Sequence, residues 1–476
     1  MKFCAIVACE NNGGIGKNEC IPWHCSIDLK HFQNTTKGTE YIKNVLVMGR
    51  CTFESICSTT LGKNRLTVVL TRGNDFTSEV NDVITYNGSL NPLVLKNFLR
   101  DSFSEHTIGT VFYCGGQTIY EQALVYAPFF DSFLVTHLDL NVEHCDRYFD
   151  LKALHKNCFS VSCNFFESKN EPSGKIVTYE ANFKNAKNKE EVAYLQLCKH
   201  ILLNGEKRDD RTGVGTYSLF GQRLEFSLYN GVLPCLTSKK LAIKSVIKEL
   251  LWFISGSTNS KVLENQGVKI WTGNTSREFL DKRGLSDLQE GDIGAGYGFQ
   301  WRHFGADYKG MDECYDEQGI DQLSEIVNLI KNDPFSRRII LTAWNPAALS
   351  SMALPPCHMM AQFYVSAEGE LSCQMYQRSC DVFLGIPFNI MSYSLLTHMI
   401  AHVCGLRASK LIMCLGDTHI YQNHVEQVLT QLKNVPNSFP ILKLSEDVKS
   451  IFDFKMEHIN IMDYQSYKAI NAPMAV

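Results

Sequence analysis

The chain has no uninterrupted apolar run approaching the roughly 18 to 20 residues that a membrane-spanning helix needs. Its 18 cysteines include no Cys-x-x-Cys pair and lie thinly across 476 residues, which argues against a zinc ribbon or a disulfide scaffold and predicts reduced, mostly buried thiols. Net charge is only −4, so general attraction to polyanions is excluded and an anionic ligand has to be held by locally grouped arginines. There is no internal repeat and no low-complexity segment. The opening residues, MKFCAIVACENNGG, turn polar too early for a secretory signal. These absences predict a cytoplasmic protein that needs neither a membrane nor a nucleic acid.

Hydrophobic residues make up 45% and charged residues 20%, the balance of a globular chain, and the length calls for two cores. In the first third, FCAIVAC, NVLVMG, RLTVVLT, TVFYCGG and SFLVTHLDL have the length and the β-branched, aromatic content of strands. FSVSCNFF and KIVTYEANF flank a Pro-Ser-Gly reversal, which predicts an antiparallel hairpin. The run KNAKNKEE, 184–191, is charged and lacks an apolar anchor. We therefore expect one domain over 1–184, a short linker over 185–191 and a second domain over 192–476. In the second, a helical period runs through Val192, Leu195, Cys198, Ile201 and Leu202 to a stop at Asn204-Gly205. Apolar helices are predicted near 243–254 and 389–404, and strands near 339–343 and 371–377, so the fold class is mixed, α/β (α+β).

Gly115-Gly116 stand where a strand hands over to a helix, letting backbone N–H groups at the helix start approach a pyrophosphate; a tight turn would use the same pair. Gly14-Ile15-Gly16 lacks the third glycine of a dinucleotide fingerprint. Asp28 is the only acid between Glu19 and Glu40, and it suits either the amidine-like edge of a pterin or the first turn of a helix. The segments IVAC (6–9), GIGKNECIPW (14–23), DLKHF (28–32), VMGRCTFESI (47–56), NRLTVVLTR (64–72), CGGQTIYE and LVTHLD fall in the order and spacing of dihydrofolate reductase, which this half resembles from end to end. The resemblance implies a mixed sheet with flanking helices that reduces dihydrofolate with NADPH. It implies Asp28 as the catalytic carboxylate with Thr136 bonded to it, folate contacts from Ile6, Phe32 and Ile56, and Arg65 on the glutamate tail. It further implies an NADPH site of Ala8, Ile15, Gly49, Arg50, Thr52, Thr71, Arg72, Gly115, Gly116 and Tyr120, with Arg50 and Arg72 near the 2′-phosphate, unless both are solvated surface arginines. Two positions depart from the pattern. Cys51 stands where relatives carry a basic residue or His, which loosens the grip on the 2′-phosphate, and Thr59-Thr60-Leu61 lacks the proline that usually precedes the leucine.

A cysteine is usually a small buried apolar residue, and one that attacks as thiolate needs positive charge nearby. Cys357, in LPPCHMM (354–360), follows two rigid prolines. SRRIILTAWNP contributes Arg337 and Arg338, YQRSCD contributes Arg378 beside Ser379, and DDRTGVGT contributes Arg211; arginines so grouped also describe a phosphate site. Glu249, in VIKELLWFISG, has apolar neighbours on nearly every helical heading, so burial would raise its pKa toward general acid–base work. A salt bridge with Lys248 or Lys244 fits the spacing equally well.

The order DRTGVGT, KELLWFISG, KIWTGN, YGFQWRHF, SRRIILTAWNP, LPPCH, YQRSCDVFLGIPFN, GDTHIYQNH and PMAV resembles thymidylate synthase over essentially residues 190–476. That resemblance implies a three-layer α/β domain in which Cys357 attacks C6 of dUMP and Glu249 handles protons. 5,10-Methylenetetrahydrofolate would supply both the carbon and a hydride, giving dTMP and dihydrofolate. Implied dUMP contacts are Arg211, Arg337, Arg338, Gln377, Arg378, Ser379, Asp381, Asn389, His419 and Tyr421, and implied folate contacts are Trp271 and Asp381, with Tyr297 shaping the cavity. Asn389 would read the uracil edge unless it is a helix cap, and His419 and Tyr421 would hold the ribose hydroxyl unless they are buried packing. Asp381 has a cap as its competing reading, and Thr418 replaces the family's usual Ala. The arginine pair is implied to reach the neighbouring subunit's phosphate, which makes the protein a homodimer. The joined halves resemble the bifunctional dihydrofolate reductase–thymidylate synthase family.

His398 and His402 have the i,i+4 spacing of helical metal ligands with Cys404 close behind, but no Glu follows the first His and the segment is an apolar helix, so no metal is expected. The alternatives are a pyrimidine hydroxymethylase, which needs a different base-reading residue, and a folate- or RNA-binding regulator, which no extended basic surface supports.

Overall fold

A computed structural model describes residues 1–56, 64–71, 82–103 and 106–474. The chain divides into two compact units, Met1–Ala186 with Leu202–Asn204, and Lys187–Ile201 with Gly205–Val476.

In the first unit, strands β1 (Lys2–Cys9), β2 (Gly14–Gly16), β3 (Ile42–Gly49), β4 (Arg65–Leu70), β5 (Val83–Tyr86), β6 (Thr107–Tyr113), β7 (Ser132–Leu138), β8 (Arg147–Tyr148), β9 (Cys158–Phe166) and β10 (Gly174–Ala181) follow in chain order. Eight of them make one sheet ordered β5-β4-β3-β6-β1-β7-β10-β9. Strands β5 through β7 of that order run parallel, and the β9–β10 hairpin closes it antiparallel to β7. A central parallel strand covered on both faces reads as a continuous apolar run, and β1 does so, with Phe3, Ala5 and Cys9 fully buried. β1 lies between β6 and β7, so the strand order reverses there. A crevice opens at such a reversal, at the carboxyl ends of the strands.

The helix Ser26–Thr36 has no side-chain cap of its own at Cys25. Instead Glu171 Oε2, from the turn joining β9 to β10, accepts from Ser26 N and Ser26 Oγ, both at 2.7 Å. A carboxylate at a helix N-terminus satisfies free N–H groups and meets the positive end of the macrodipole. This cap fixes the turn that carries Asp28.

In the second unit, β11 (Glu206–Arg208), β12 (Thr216–Ser227), β13 (Ile340–Thr342), β14 (His358–Val365), β15 (Glu370–Asp381) and β16 (Arg407–Tyr421) form a sheet ordered β11-β12-β16-β15-β14-β13. Only β15 and β16 pair in parallel. The helix Gly385–Val403 packs against β15 and β16, with the helix Ile243–Ile254 against it in turn. The latter spans the residues predicted for it. The former starts four residues earlier than expected, because Pro387 sits in the first turn, where a missing N–H costs nothing, and Asp381 Oδ1 accepts from Phe383 N and Leu384 N at 3.0 and 3.1 Å.

The run 185–191 is not wholly irregular. Asn188 accepts from Glu191 N at 3.0 Å and starts the helix Lys189–Asn204, whose first turn carries Glu190 and Glu191. Glu191 is fully buried and is satisfied by Thr237 N, Thr237 Oγ1 and Ser238 N, at 2.7 to 3.0 Å.

Candidate active sites

The crevice of the first unit is a cleft of about 1370 Å³. It is lined by Ile6, Ala8 and Ile15, by Asp28 and Phe32, by Gly49, Arg50, Thr52, Ile56 and Thr71, and by Gly115, Gly116 and Tyr120. Trp23, Leu29, Gln117 and Thr118 line it too and were not singled out in the sequence, although the last two directly follow the paired glycines. Burial raises the Asp28 carboxyl above its ordinary value, opposed by a hydrogen bond from Thr136 and by the nearby His31. Thr136 thus acts from behind the wall.

Arg65 does not line the cleft. It is buried, and its guanidinium donates to Thr36 Oγ1 at 3.0 Å and Gln33 O at 2.6 Å, both in the last turns of the helix that carries Asp28. Arg50 is exposed, with Nε 3.6 Å from Glu54 Oε1 one helical turn on. Cys51 is an exposed thiol of the wall. Arg72 and Thr59-Thr60-Leu61 lie outside the described residues. At the floor, Gly115 has φ +116°, and a Cβ there would meet the Tyr120 ring at 3.2 to 3.5 Å. A Cβ on Gly116, the N-cap of the helix Gln117–Val125, would meet Thr52 Oγ1 at 3.5 Å. Bare backbone beside a helix start fits a pyrophosphate.

In the second unit, period-two alternation puts Gln377, Ser379 and Asp381 on one face of β15, and the register Ser379↔Asp417, Asp381↔His419 puts Asp417, His419 and Tyr421 of β16 on that same face. Cys357 precedes β14 and is half-buried. Its N–H donates to Tyr297 Oη at 2.7 Å, and Arg378 N donates to its carbonyl at 2.9 Å. The Arg378 guanidinium donates from Nε to Pro356 O at 2.9 Å and from Nη2 to Pro355 O at 2.8 Å, closing the diproline turn.

Burial pushes the Cys357 thiol above its ordinary value; Arg378 and hydrogen bonds with Tyr297 and Ser379 act the other way. This corrects the expectation that four grouped arginines bring the thiol down within one chain. Arg337 and Arg338 are exposed, and their guanidinium groups have no hydrogen-bond or ion-pair partner among the described residues. Arg211 is also exposed, 5.9 Å from the Phe279 ring centroid and close enough to Tyr421 to act on its phenol. His358, next in sequence to the thiol, is no base for it. It is buried, hydrogen-bonded to Tyr393 at 2.9 Å, and pushed down to about 3 by burial.

Glu249 has no lysine partner among the described residues: Lys248 donates to Gln266 O at 2.7 Å, and the carboxyl accepts from Trp271 Nε1 at 2.8 Å. Though part of its surface is open, the surrounding aromatic residues desolvate it and push it up to about 7. Trp271 packs edge-on to Tyr297 at 5.8 Å, which links Glu249 to the backbone of Cys357. Asn389 is the fifth residue of its helix, not the cap, and its amide has no partner among the described residues. Gln377 donates to Ser379 O at 3.0 Å and keeps a buried, unpartnered Oε1. One oxygen of Asp381 serves as a cap; the other has no partner among the described residues. His398 and His402 bond to different carbonyls, Val232 O at 2.9 Å and Val448 O at 3.0 Å.

A large cleft with a backbone cradle in one unit, and a pinned thiol linked through Tyr297 and Trp271 to a desolvated carboxyl in the other, define an enzyme with two sites. Residues 2–183 match the dihydrofolate reductase family and residues 192–476 the thymidylate synthase family. The chain is 43% identical to bifunctional dihydrofolate reductase-thymidylate synthase 2 of Arabidopsis thaliana, over 100% of this chain and 88% of the relative. It is 42% identical to the bifunctional protein of Paramecium tetraurelia, over 100% and 99%, and 40% identical to that of Leishmania major, over 100% and 95%. The chain belongs to the bifunctional dihydrofolate reductase–thymidylate synthase family.

The Glu249 value carries a sign for stability. The folded protein holds a proton up to about 7 that the unfolded chain releases near 4.5, so this group's contribution is full below 4.5 and is lost as pH rises through 7. Urea unfolding of the Glu249→Gln variant should show a shallower fall in stability between those two pH values than the wild type; parallel curves would refute the desolvated setting.

Proposed function

We propose that residues 1–184 reduce dihydrofolate and residues 192–476 make the dihydrofolate, from dUMP and 5,10-methylenetetrahydrofolate. The observation that carries the reading is Cys357 held by its backbone, with its thiol hydrogen-bonded with Ser379, which shares a face with Asp381, His419 and Tyr421. The sulfur adds to C6 of the uracil, and the electron pair moves to C5, which bonds the methylene carbon of the folate as one of that carbon's C–N bonds breaks. Glu249, poised near neutrality, takes up and returns protons. C5 then gives up its proton and the remaining C–N bond breaks, which leaves tetrahydrofolate and an exocyclic methylene on C5; hydride passes from the tetrahydrofolate to that methylene, the C6–S bond breaks as the C5=C6 bond re-forms, and dTMP and dihydrofolate leave. Asn389 holds the O4 and N3 edge of the base, His419 and Tyr421 the sugar hydroxyl, and Trp271 and Asp381 the pterin.

In the first unit Asp28 accepts from the amidine-like edge of dihydrofolate while Ile6, Phe32 and Ile56 exclude water. Gly115-Gly116, Thr52 and Arg50 would hold NADPH, which would supply a hydride to the carbon of the pterin C=N bond while its nitrogen takes a proton from water. With dUMP and methylenetetrahydrofolate, dihydrofolate should accumulate only when NADPH is left out. Cys357→Ser should lower dTMP formation by at least about 10³-fold with the reductase intact. Asp28→Asn should lower the reductase by about 10²–10⁴-fold with dTMP formation intact. Hydroxymethylation of dCMP in place of dUMP would favour the other pyrimidine chemistry.

The working form is a homodimer built through the synthase unit, in the cytoplasm. Direct cross-strand partners share a face, so Met360, Tyr364 and Tyr376 form an exposed apolar stripe on β14 and β15. A second copy would cover it and bring the unpartnered Arg337 and Arg338 to the partner's phosphate site, adding positive charge to that of Arg378. The described cysteines are all free, which fits a reducing compartment. No helix among the described residues is long and apolar enough to cross a membrane. Sedimentation should give twice 53.9 kDa at micromolar concentration, and Tyr364→Asp should weaken association and dTMP formation together. A fully active monomer would end the dimer reading.

A further inference from the structure

His419 is only 7% exposed, and its two ring nitrogens have different surroundings. Nδ1 lies 3.0 Å from Asp417 Oδ1, while Nε2 has no hydrogen-bond partner among the described residues. The Tyr421 ring stands edge-on to the imidazole, centroids 5.3 Å apart, which fixes its plane. Two further donors hold Asp417, from strands far away in sequence: Ser218 Oγ donates to Oδ1 at 2.7 Å and Arg208 Nη1 to Oδ2 at 2.7 Å. With His419 itself, these bring the carboxyl down to about 2.

An ionised carboxylate only accepts hydrogen bonds. The proton between Asp417 and the imidazole therefore belongs to Nδ1, and the neutral ring presents Nε2 as a lone pair. We propose that Asp417 is a positioning residue for nucleotide binding: through Nδ1 it makes Nε2 of His419 an acceptor that selects a sugar bearing a hydroxyl donor at its 3′ carbon. The proposal rests on the reading that His419 meets the sugar of dUMP.

In Asp417→Asn, Arg208, which can only donate, claims the amide oxygen at the Oδ2 position, which leaves the NH2 group at the Oδ1 position toward Nδ1, with the Ser218 hydroxyl turned to accept from it. The imidazole proton then moves to Nε2, and the acceptor becomes a donor. Calorimetric titration of the full chain with dUMP and with 2′,3′-dideoxyuridine 5′-monophosphate tests this. Wild type should prefer dUMP by at least about tenfold, the worth of one buried hydrogen bond. Asp417→Asn should cut that preference to within about twofold while binding the dideoxy compound within about threefold of wild type. Ser218→Ala, which leaves the Asp417–His419 contact in place, should keep the preference, and retained binding of the dideoxy compound checks that the second unit of each variant is folded. A preference retained in Asp417→Asn, an equal loss for both ligands, or the same collapse in Ser218→Ala overturns the proposal. A wild type that binds both ligands equally overturns instead the reading that His419 meets the sugar.

Discussion

Two hydrogen bonds from one guanidinium decide where the Cys357 sulfur is held. Pro355 and Pro356 fix φ twice in succession and offer no N–H, so the turn before Cys357 cannot close on its own donors. Arg378 closes it from outside through the two proline carbonyls. The backbone of the same arginine bonds to the Cys357 carbonyl, and Tyr297 takes the Cys357 N–H, so the thiol sits on a peptide pinned from three directions. The same guanidinium is the largest influence lowering the thiol's pKa, although burial still prevails.

Two carboxyls of the second unit show how environment assigns roles. Glu249 has one indole donor and aromatic walls, and it rises to about 7. Asp417 has a hydroxyl, an imidazole and a guanidinium, and it falls to about 2. The first can exchange a proton near neutrality; the second stays ionised and can only orient what it touches. In the first unit Asp28 lies between these cases, desolvated but bonded to Thr136.

Local sequence revealed what local physics determines. The helix Ile243–Ile254 and the strands β1, β3, β6 and β7 are apolar runs bounded by breakers, and each lies where its pattern placed it. The start of the helix Gly385–Val403 was hidden because Gly-Ile-Pro reads as a turn unless Asp381 is known to cap it. The fifteen residues of β16 went unread, since a strand bonded on both sides and carrying site residues on one face has no clean alternation. Cys357 and Glu249 stood out by their neighbours in the chain. The partners that set their chemistry are remote: Trp271 lies 22 residues from Glu249, and Tyr297 lies 60 residues from Cys357. Only tertiary packing brings such groups together.

The account's centre is that Arg378 both shapes the turn and acts on the sulfur. The pH dependence of Cys357 alkylation by iodoacetamide, followed by peptide mapping in the absence of nucleotide, tests it most directly. Wild type should titrate above the ordinary thiol value of 9.0, and Arg378→Met should titrate higher still. Its alkylation at pH 8 should slow by on the order of tenfold for each unit of that shift. A Cys357 whose titration and alkylation rate are the same with and without the guanidinium would contradict the account.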